Sequence, residues 1–277
     1  MNCFLFVSYL AILQMFSGSS VNSHQAKHEE LSEQGMAIYK NTAFLFYDTG
    51  VCEVYDLKEK RFVYDFGLGS SSKNNHANCA SFGVEKGPFG KLPLLYVAEC
   101  RHPQRCFVEC LTDTGAVLLQ TICLKRKGAD AISQDWIVDK KKKVIYTIGR
   151  REITGNSGVA IHRINKYRLP KIKEGELIEL TDRDVLDSFD IEFPNMLQGG
   201  TIRGNCLYLP TGLHESAGNG IEKERTLIVV NLKTHRIERK INLTNITKNE
   251  PEDCDFYKGK LLLYCGQSGG LFEIPFK

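Results

Sequence analysis

A repeated pattern of short strands is the feature that most constrains this chain. Residues 198–243 contain a Gln-Gly pair, a short strand, a turn, an apolar strand and two further strands around a charged turn. Residues 34–68 follow the same order, and a shorter version at 250–276 closes the chain. A four-stranded unit that recurs every roughly forty to sixty residues is typical of a β-propeller. The repeats predict an all-β, five-bladed β-propeller, with a six-bladed propeller as the alternative.

The strand pattern also predicts where the individual blades lie. Blade one is expected at 34–69, blade two at 76–125, and blade three from residue 134 onward. Within blade three, 177–180 is the expected outer strand, and 182–189 is expected to form a helical turn capped by Thr181. Blade four covers the repeat at 198–243, and blade five supplies only three strands after residue 250. Because a propeller ring must close, the missing strand is expected near residues 26–33.

The composition fits one globular domain rather than a nucleic-acid or membrane protein. The chain has 277 residues, of which 42% are hydrophobic and 25% are charged. These are ordinary values for a domain with a substantial core. A formal net charge of +3 is too small to suggest binding to nucleic acid or to an anionic membrane. We therefore expect a single propeller domain at 34–277, without a membrane span and without a nucleic-acid partner, acting as a monomer.

The first 23 residues predict a signal peptide. They carry no charge, are mostly apolar between residues 4 and 16, and offer small residues for cleavage at 17–19 or 21–23. No basic residue follows Met1, which departs from the usual pattern. We interpret the chain as secreted or periplasmic, with an uncleaved N-terminal strand as the alternative. Residues 24–33 are polar and are interpreted as a linker or the closing strand.

The cysteines give one specific expectation. Nine cysteines follow Cys3, which is an odd number, and none forms a C-x-x-C pair. Cys100 is expected to end one strand and Cys106 to begin the next, which predicts a disulfide across the intervening loop. A metal site formed by Cys100, His102 and Cys106 is the alternative. Most of the other cysteines lie within apolar strands, where a free cysteine usually acts as a small buried hydrophobic residue.

Propeller geometry indicates where a ligand would bind. The first strand of each blade lines the central channel, so the residues that begin these strands should meet at one end of it. A ring of amides and carboxylates there predicts a pocket for a small polar ligand, either a glycan or a peptide. The alternative is a wet channel whose polar residues hold water or cap loops. The expected ligand-binding residues are Gln34, His76, Asn78, Gln134, Asp135, Trp136, Arg150, Gln198, Glu252 and Asp253.

Catalysis at the same end of the channel is the competing interpretation. Paired carboxylates would suit a glycan-active hydrolase or lyase. Because amides begin three of the five blades and cannot transfer protons at neutral pH, binding is favoured, and whether the protein is an enzyme stays open. The candidate catalytic residues are Asp48, Glu99, Glu252 and His76.

No cofactor or metal is expected, apart from calcium held by the oxygen atoms of Asn78, Asp135 and Asp253. Trp136 is expected to be available for stacking on the apolar face of a ligand. A G-x-S-x-G match at 266–270 precedes a strand rather than a helix, which favours a hairpin turn over a nucleophile elbow.

Four short motifs resemble the five-bladed glutaminyl cyclotransferases. They are Gln34-Gly35, Tyr47-Asp48-Thr49-Gly50, Asp135-Trp136-Ile137 and Leu271-Phe272-Glu273-Ile274. The resemblance spans most of residues 34–277 and implies a five-bladed propeller with cyclotransferase-like activity as an alternative function. This chain departs from the family in having Asp48 where the family has Glu, a single tryptophan, and Gln198 in place of an acid. The stretches 76–83 and 250–253 also resemble uncharacterised secreted bacterial propellers.

Overall fold

The computed structural model describes residues 20–22, 28, 30–101, 103–153, 158–194, 196–216, 224–267 and 269–275. These residues form five small sheets that are arranged as the blades of a β-propeller. The five-bladed prediction is therefore confirmed, and the six-bladed alternative is wrong.

The strands are numbered in chain order. Blade one consists of β2 (Glu33–Tyr39), β3 (Thr42–Tyr47), β4 (Val51–Asp56) and β5 (Arg61–Gly67). Blade two has β6 (Cys79–Lys86), β7 (Pro93–Ala98), β8 (Cys106–Leu111) and β9 (Ala116–Leu124). Blade three has β10 (Asp135–Asp139), β11 (Val144–Ile153), β12 (Val159–Arg168) and β14 (Val185–Pro194). Blade four has β15 (Thr201–Arg203), β16 (Cys206–Thr211), β17 (Thr226–Asn231) and β18 (Arg236–Asn242). Blade five has β19 (Pro251–Tyr257), β20 (Lys260–Cys265), β21 (Gly270–Ile274) and β1 (Ser20–Asn22).

The first strand of each blade is the innermost one. Contacts between these strands run around a closed ring, from β2 to β6, β10, β15, β19 and back to β2. The second strand of each blade is covered on both faces by the neighbouring blades, so it is nearly continuously apolar, as in Leu261–Tyr264 of β20. The fourth strands lie at the outside and alternate between exposed and partly buried residues, as β5 and β18 do.

Blade three differs from the sequence prediction at its outer edge. Thr181 caps a helical turn as expected, but the turn is a 3₁₀ helix of only Asp182–Asp184, and residues 185–189 are extended in β14. The outer strand is β14 and not residues 177–180. Those residues form β13 (Leu177–Leu180), which pairs in parallel with β9 and extends blade two to five strands. The segment that leads from blade three into β13 is bound to blade two by the Gly175 amide, which donates to the Leu119 carbonyl at 2.7 Å. A second 3₁₀ helix, Gly128–Ala131, lies between β9 and β10.

The expected disulfide between Cys100 and Cys106 is wrong, because both thiols are free. In the β7–β8 pairing Cys106 stands opposite Ala98, two residues away from Cys100. The Cys106 side chain lies inside the core, whereas Cys100 is only partly buried. The alternative metal site includes His102, which lies outside the described residues. Among the residues that are described, no helix has the length and apolarity that a bilayer crossing requires.

The ring is closed from the N-terminal side, but upstream of the expected position. The closing strand is β1, which pairs antiparallel with β21 so that Ser20 faces Phe272 and Asn22 faces Leu271. The strand had been expected near residues 26–33. Residues 1–19 and 23–27 lie outside the described part of the chain, so the signal peptide stays a prediction.

The position of β1 leads to a test of the two expected cleavage positions. A chain that starts at Ser20 retains the closing strand, whereas a chain that starts at His24 loses it and leaves the edge of β21 unpaired. We expect the shorter chain to have a lower melting temperature and a greater tendency to aggregate. Thermal unfolding followed by circular dichroism, together with light scattering, would measure both. Equal stability of the two chains would show that β1 does not close the ring.

Candidate functional site

The channel has two ends, which differ in chemistry. We call the end at which the five inner strands begin the start face, and the end at which they turn back into the second strands the turn face. The predicted site residues belong to the start face, because they begin inner strands or lie in the loops after second strands.

Asp253 connects the inner strands of three blades. Its carboxylate accepts hydrogen bonds from the backbone amides of Met36 at 2.8 Å, Ala80 at 3.3 Å and Cys254 at 2.7 Å. It also lies against Gly199, where an added methyl group would be 2.5 Å from the carboxyl carbon. Burial raises the pKa of Asp253 well above its usual range, while the backbone amides act in the opposite direction. These contacts make Asp253 a structural group at the axis.

Asn78 and Asp135 form the second axial contact. The Asn78 side-chain amide donates to one carboxyl oxygen of Asp135 at 2.6 Å, and the other carboxyl oxygen is buried without a hydrogen-bond partner. Burial raises the pKa of Asp135 to about 7, and the hydrogen bond from Asn78 lowers it only in part. Asp135 therefore gains or loses its proton near neutral pH.

Glu252 is the acid at this end whose carboxyl is least engaged. It is only 4% exposed, and within the described part of the chain no group donates a hydrogen bond to its carboxyl. Burial raises its pKa well above the usual range, and the nearby carboxyls of Glu250, Glu33 and Asp253 raise it further. These surroundings favour the protonated form of Glu252 over the carboxylate.

Two buried tyrosines lie beside this group of acids. The hydroxyls of Tyr47 and Tyr264 have no hydrogen-bond partner within bonding distance. Burial raises the pKa of both tyrosines, and that of Tyr264 is raised further by Tyr47, Glu33, Glu53 and Glu252. The two hydroxyls stay protonated. Neither meets the strict geometry of a hydrogen bond, although Tyr47 lies near enough to Glu53 and Tyr264 for both to act on its pKa.

Gln198 and the turn at Gly266 lie next to Glu250 and Glu252. The Gln198 side chain donates to Glu250, whose pKa is raised by burial and lowered in part by this bond. A methyl group at Gly266 would lie 2.3 Å from the Glu252 carboxyl, so glycine leaves the space that the acid occupies. The G-x-S-x-G match thus includes a glycine that makes room for Glu252. Its Ser268 lies outside the described residues.

Gln34 begins the inner strand of blade one on this face. It is 5% exposed, and its side-chain amide donates to the Ser32 hydroxyl at 3.3 Å. Its buried side-chain oxygen has no hydrogen-bond partner. Gln34 therefore keeps one acceptor that a ligand donor can use.

His76 and Asp48 lie together at the rim between blades one and two. Arg101 lies 3.9 Å from the Asp48 carboxylate. Burial lowers the pKa of His76 to about 4, with a further lowering from Arg101 that Asp48 partly offsets. The imidazole is therefore neutral at pH 7, which allows it to accept a proton but makes it a weak base.

Glu99 does not behave as a free acid. Arg105 binds both of its carboxyl oxygens, at 2.7 and 3.0 Å, and Glu99 is 1% exposed. This two-point guanidinium–carboxylate pair occupies both oxygens of the acid. Of the four candidate catalytic residues, Glu99 therefore has a structural role, which is to hold the loop between β7 and β8 through Arg105.

Three other expected ligand residues, Gln134, Trp136 and Arg150, lie in blade three and mainly contact other parts of that blade. The Gln134 side chain accepts a hydrogen bond from the Arg150 backbone at 3.2 Å, which joins the start of β10 to β11. Arg150 itself is partly buried. The expectation that Trp136 stacks on a ligand is wrong, because its side chain is completely buried in the core. It lies on an inner strand between two packed blades, where no ring face reaches the channel.

The sequence analysis missed Glu33, Glu250 and Tyr264. Glu33 lies one residue before Gln34, and Glu250 lies two residues before Glu252. Extending the search by two residues at the start of each inner strand would have found both. Tyr264 looked like an ordinary member of an apolar second strand. The expected calcium ligands Asn78, Asp135 and Asp253 are bound to protein groups, and the described residues contain no group of three or more His, Cys, Asp or Glu placed to hold a metal ion.

Comparisons with known proteins add no functional assignment. No family model matches the chain, and no curated protein matches it. A solved structure to which the chain is similar is that of the computationally designed Ika8 protein, at 9% identity. The match covers 93% of this chain and 98% of that one, with a TM-score of 0.39. The five-bladed assignment rests on the sheets themselves, and the cyclotransferase resemblance stays a prediction.

The raised pKa of Asp135 leads to a prediction about stability. In the unfolded chain the pKa is close to 3.8, and in the folded protein it is about 7. The folded state therefore gains stability from proton binding that is complete below the unfolded pKa and is lost as the pH rises through 7. At pH 8 we expect Asp135→Asn to unfold with a free energy higher by up to about 4 kcal/mol, since each pKa unit corresponds to 1.36 kcal/mol.

Urea unfolding at several pH values between about 4 and 8 would measure this difference. The matched control is Asp113→Asn, which makes the same chemical change on an exposed hairpin turn. The control should follow the wild-type pH profile. A difference between Asp135→Asn and wild type that stays constant over this pH range would contradict the raised pKa.

Proposed function

We propose that the start face binds a small polar ligand, either a peptide or a glycan, and that Glu252 is its central contact. The observation that carries this proposal is the Glu252 carboxyl, which is buried next to Glu250 and Glu33 and receives no hydrogen bond from the described residues. A buried carboxyl of this kind gains most from a ligand that supplies the missing donor.

The balance of charge favours a peptide over a neutral glycan. Glu250 and Glu33 raise the pKa of Glu252, and a ligand ammonium group nearby would lower it. The N-terminal amine of a peptide provides such a group together with three hydrogen-bond donors. The free side-chain oxygen of Gln34 and the hydroxyls of Tyr47 and Tyr264 supply further polar contacts for the peptide bond.

A cyclotransferase is the second candidate, and the raised pKa of Glu252 is the observation that favours it. In cyclisation of an N-terminal glutamine, the α-amine forms a bond to the side-chain carbonyl carbon, and the bond from that carbon to the amide nitrogen breaks. A protonated carboxyl can donate a proton to the departing ammonia, and a carboxylate can take one from the attacking amine. Glu252 with Glu250 would provide this pair.

We also propose that the protein is exported, because its N-terminal segment favours export. The ligand would then be bound outside the cytoplasm. Neither the binding nor the enzymatic interpretation depends on a metal or cofactor.

The test uses the dipeptide Gln-Ala, its N-acetylated form and the neutral disaccharide cellobiose as probes. We expect calorimetry to detect Gln-Ala binding to the wild-type protein and at least roughly tenfold weaker binding to Glu252→Gln, because a charge-assisted hydrogen bond is lost. N-acetyl-Gln-Ala should bind weakly, since it lacks the amine. Release of ammonia from Gln-Ala, lost in Glu252→Gln, would identify the protein as a cyclotransferase.

Glu215→Gln is the matched control, because Glu215 lies in the loop after β16 on the same face and is exposed. This variant should bind Gln-Ala as the wild type does. Equal binding of Gln-Ala and its acetylated form would contradict the role of the amine. If none of the three probes binds, the proposed ligand classes are wrong.

A further inference from the structure

A cavity of about 200 Å³ opens on the turn face, at the end of the channel opposite the site described above. Its walls include the apolar side chains of Phe82, Val138 and Phe256, which lie toward the ends of three inner strands. Its polar lining includes Ser81 and Thr201. The cavity is therefore a separate feature, formed where the inner strands turn outward into the second strands.

Basic side chains border this cavity. Lys140, Lys141 and Arg203 all line it and are exposed. The Arg203 guanidinium is held in place, since it donates to the Gly259 carbonyl at 2.8 Å and lies 4.6 Å from the centre of the Phe256 ring. A guanidinium has five N–H donors, so this bond leaves others for a ligand.

The two acids that line the cavity are already engaged by protein donors. Asp139 accepts hydrogen bonds from the backbone amides of Lys141 and Lys142, and its other oxygen lies 3.3 Å from the Lys142 ammonium group. Asp255 accepts hydrogen bonds from the Ile38 amide and the Thr201 hydroxyl, both at 3.0 Å or less. Burial also raises the pKa of Asp255. No described carboxylate lies within 4.0 Å of the Lys140 or Lys141 ammonium group, so neither lysine is in a direct ion pair. Lys140 attracts Asp255 only from a longer distance, which partly opposes the raised pKa of that acid.

Basic residues recur around the whole turn face. In every blade at least one basic residue ends the first strand or lies in the connection to the second strand. The residues are Lys40 in blade one, Lys91 in blade two, Lys140–Lys143 in blade three, Arg203 in blade four and Lys258 in blade five. The ion pair of Lys91 with Asp113 is loose, at 3.6 Å. Basic side chains are therefore concentrated at this end of the channel, and four of them lie in the blade-three turn.

From the cavity and the ring of cations together, we propose a second binding site on the turn face for a small ligand that carries a phosphate or sulfate group. Lys140, Lys141 and Arg203 bind the oxyanion through charge-assisted hydrogen bonds. The Ser81 hydroxyl supplies a neutral donor, and Phe82 and Phe256 pack against the remainder of the ligand. A cavity of about 200 Å³ limits the ligand to roughly the size of a phosphorylated or sulfated monosaccharide, because drug-sized sites begin at about 300 Å³.

The experiment is calorimetric titration of the full chain with inorganic pyrophosphate and, separately, with sulfate. We expect binding to the wild-type protein that weakens as chloride is added, since exposed charges are screened by salt. The double variant Lys140→Ala/Lys141→Ala should bind roughly ten- to a hundredfold more weakly, because two charged donors are lost. Both lysines are exposed, so the melting temperature of the variant should match that of the wild type. Tighter binding of pyrophosphate would identify a phosphorylated ligand, and tighter binding of sulfate a sulfated one.

The matched control is Lys171→Ala/Lys173→Ala, which removes the same charge from an exposed loop at the outer edge of blade two. It should bind both anions as the wild type does, and so should Glu252→Gln, whose change lies at the other end of the channel. Equal loss of binding in the control would show that only overall charge matters and would overturn the site. Absence of binding by either anion, or binding only to vesicles that contain phosphatidylserine, would also overturn it.

Discussion

The inner strand of each blade has an edge that no strand of its own sheet covers, and the backbone amides on that edge need acceptors. In blade one these acceptors are carboxylates from blade five. Asp253 accepts from the Met36 amide and Asp255 from the Ile38 amide, both at 2.8 Å. Side chains two residues apart in β19 thus match amides two residues apart in β2, because both strands have the same two-residue period. The ring is held together by acids that point into the channel.

This use of acids has consequences for the rest of the channel. Burial raises the pKa of Asp253 and Asp255, and the backbone hydrogen bonds that these carboxyls accept act in the opposite direction. The hydrogen bonds thus offset part of the cost of burying an acid at the axis. Glu252 lies on the strand beside Asp253, yet its carboxyl receives no such bonds and shares its surroundings with Glu250 and Glu33. The difference separates acids that hold the blades together from one that has the chemistry of a binding or proton-transfer group.

The sequence predicted most of the strands because the propeller repeats them with the same internal order. It failed at β13 and β1, where the pairing partner belongs to another blade or to a distant part of the chain. Because β13 was assigned to blade three, the true outer strand β14 was missed. An apolar run such as Leu177–Leu180 indicates a strand but not its partner. The sequence also placed the candidate residues at one end of the inner strands, but the roles of Glu99 and Trp136 depended on a salt bridge with Arg105 and on burial in the core. Neither property can be derived from the order of residues.

The distribution of charge between the two ends of the channel could have been derived from the sequence. A net charge of +3 describes only the sum and does not show how acidic and basic residues are distributed between the two faces. Residues that begin inner strands lie on one face, and residues in the first turn of each blade lie on the other, so the repeat assigns each charge to a face before any side chain is placed. Glu33, Glu250 and Glu252 fall on the start face, and Lys140 and Arg203 fall on the turn face. The lysine run at 140–143, interpreted alone, is an ordinary exposed hairpin tip. Together with the basic residues near the first turn of the other blades, the lysine run indicates a ring of basic side chains around this end of the channel.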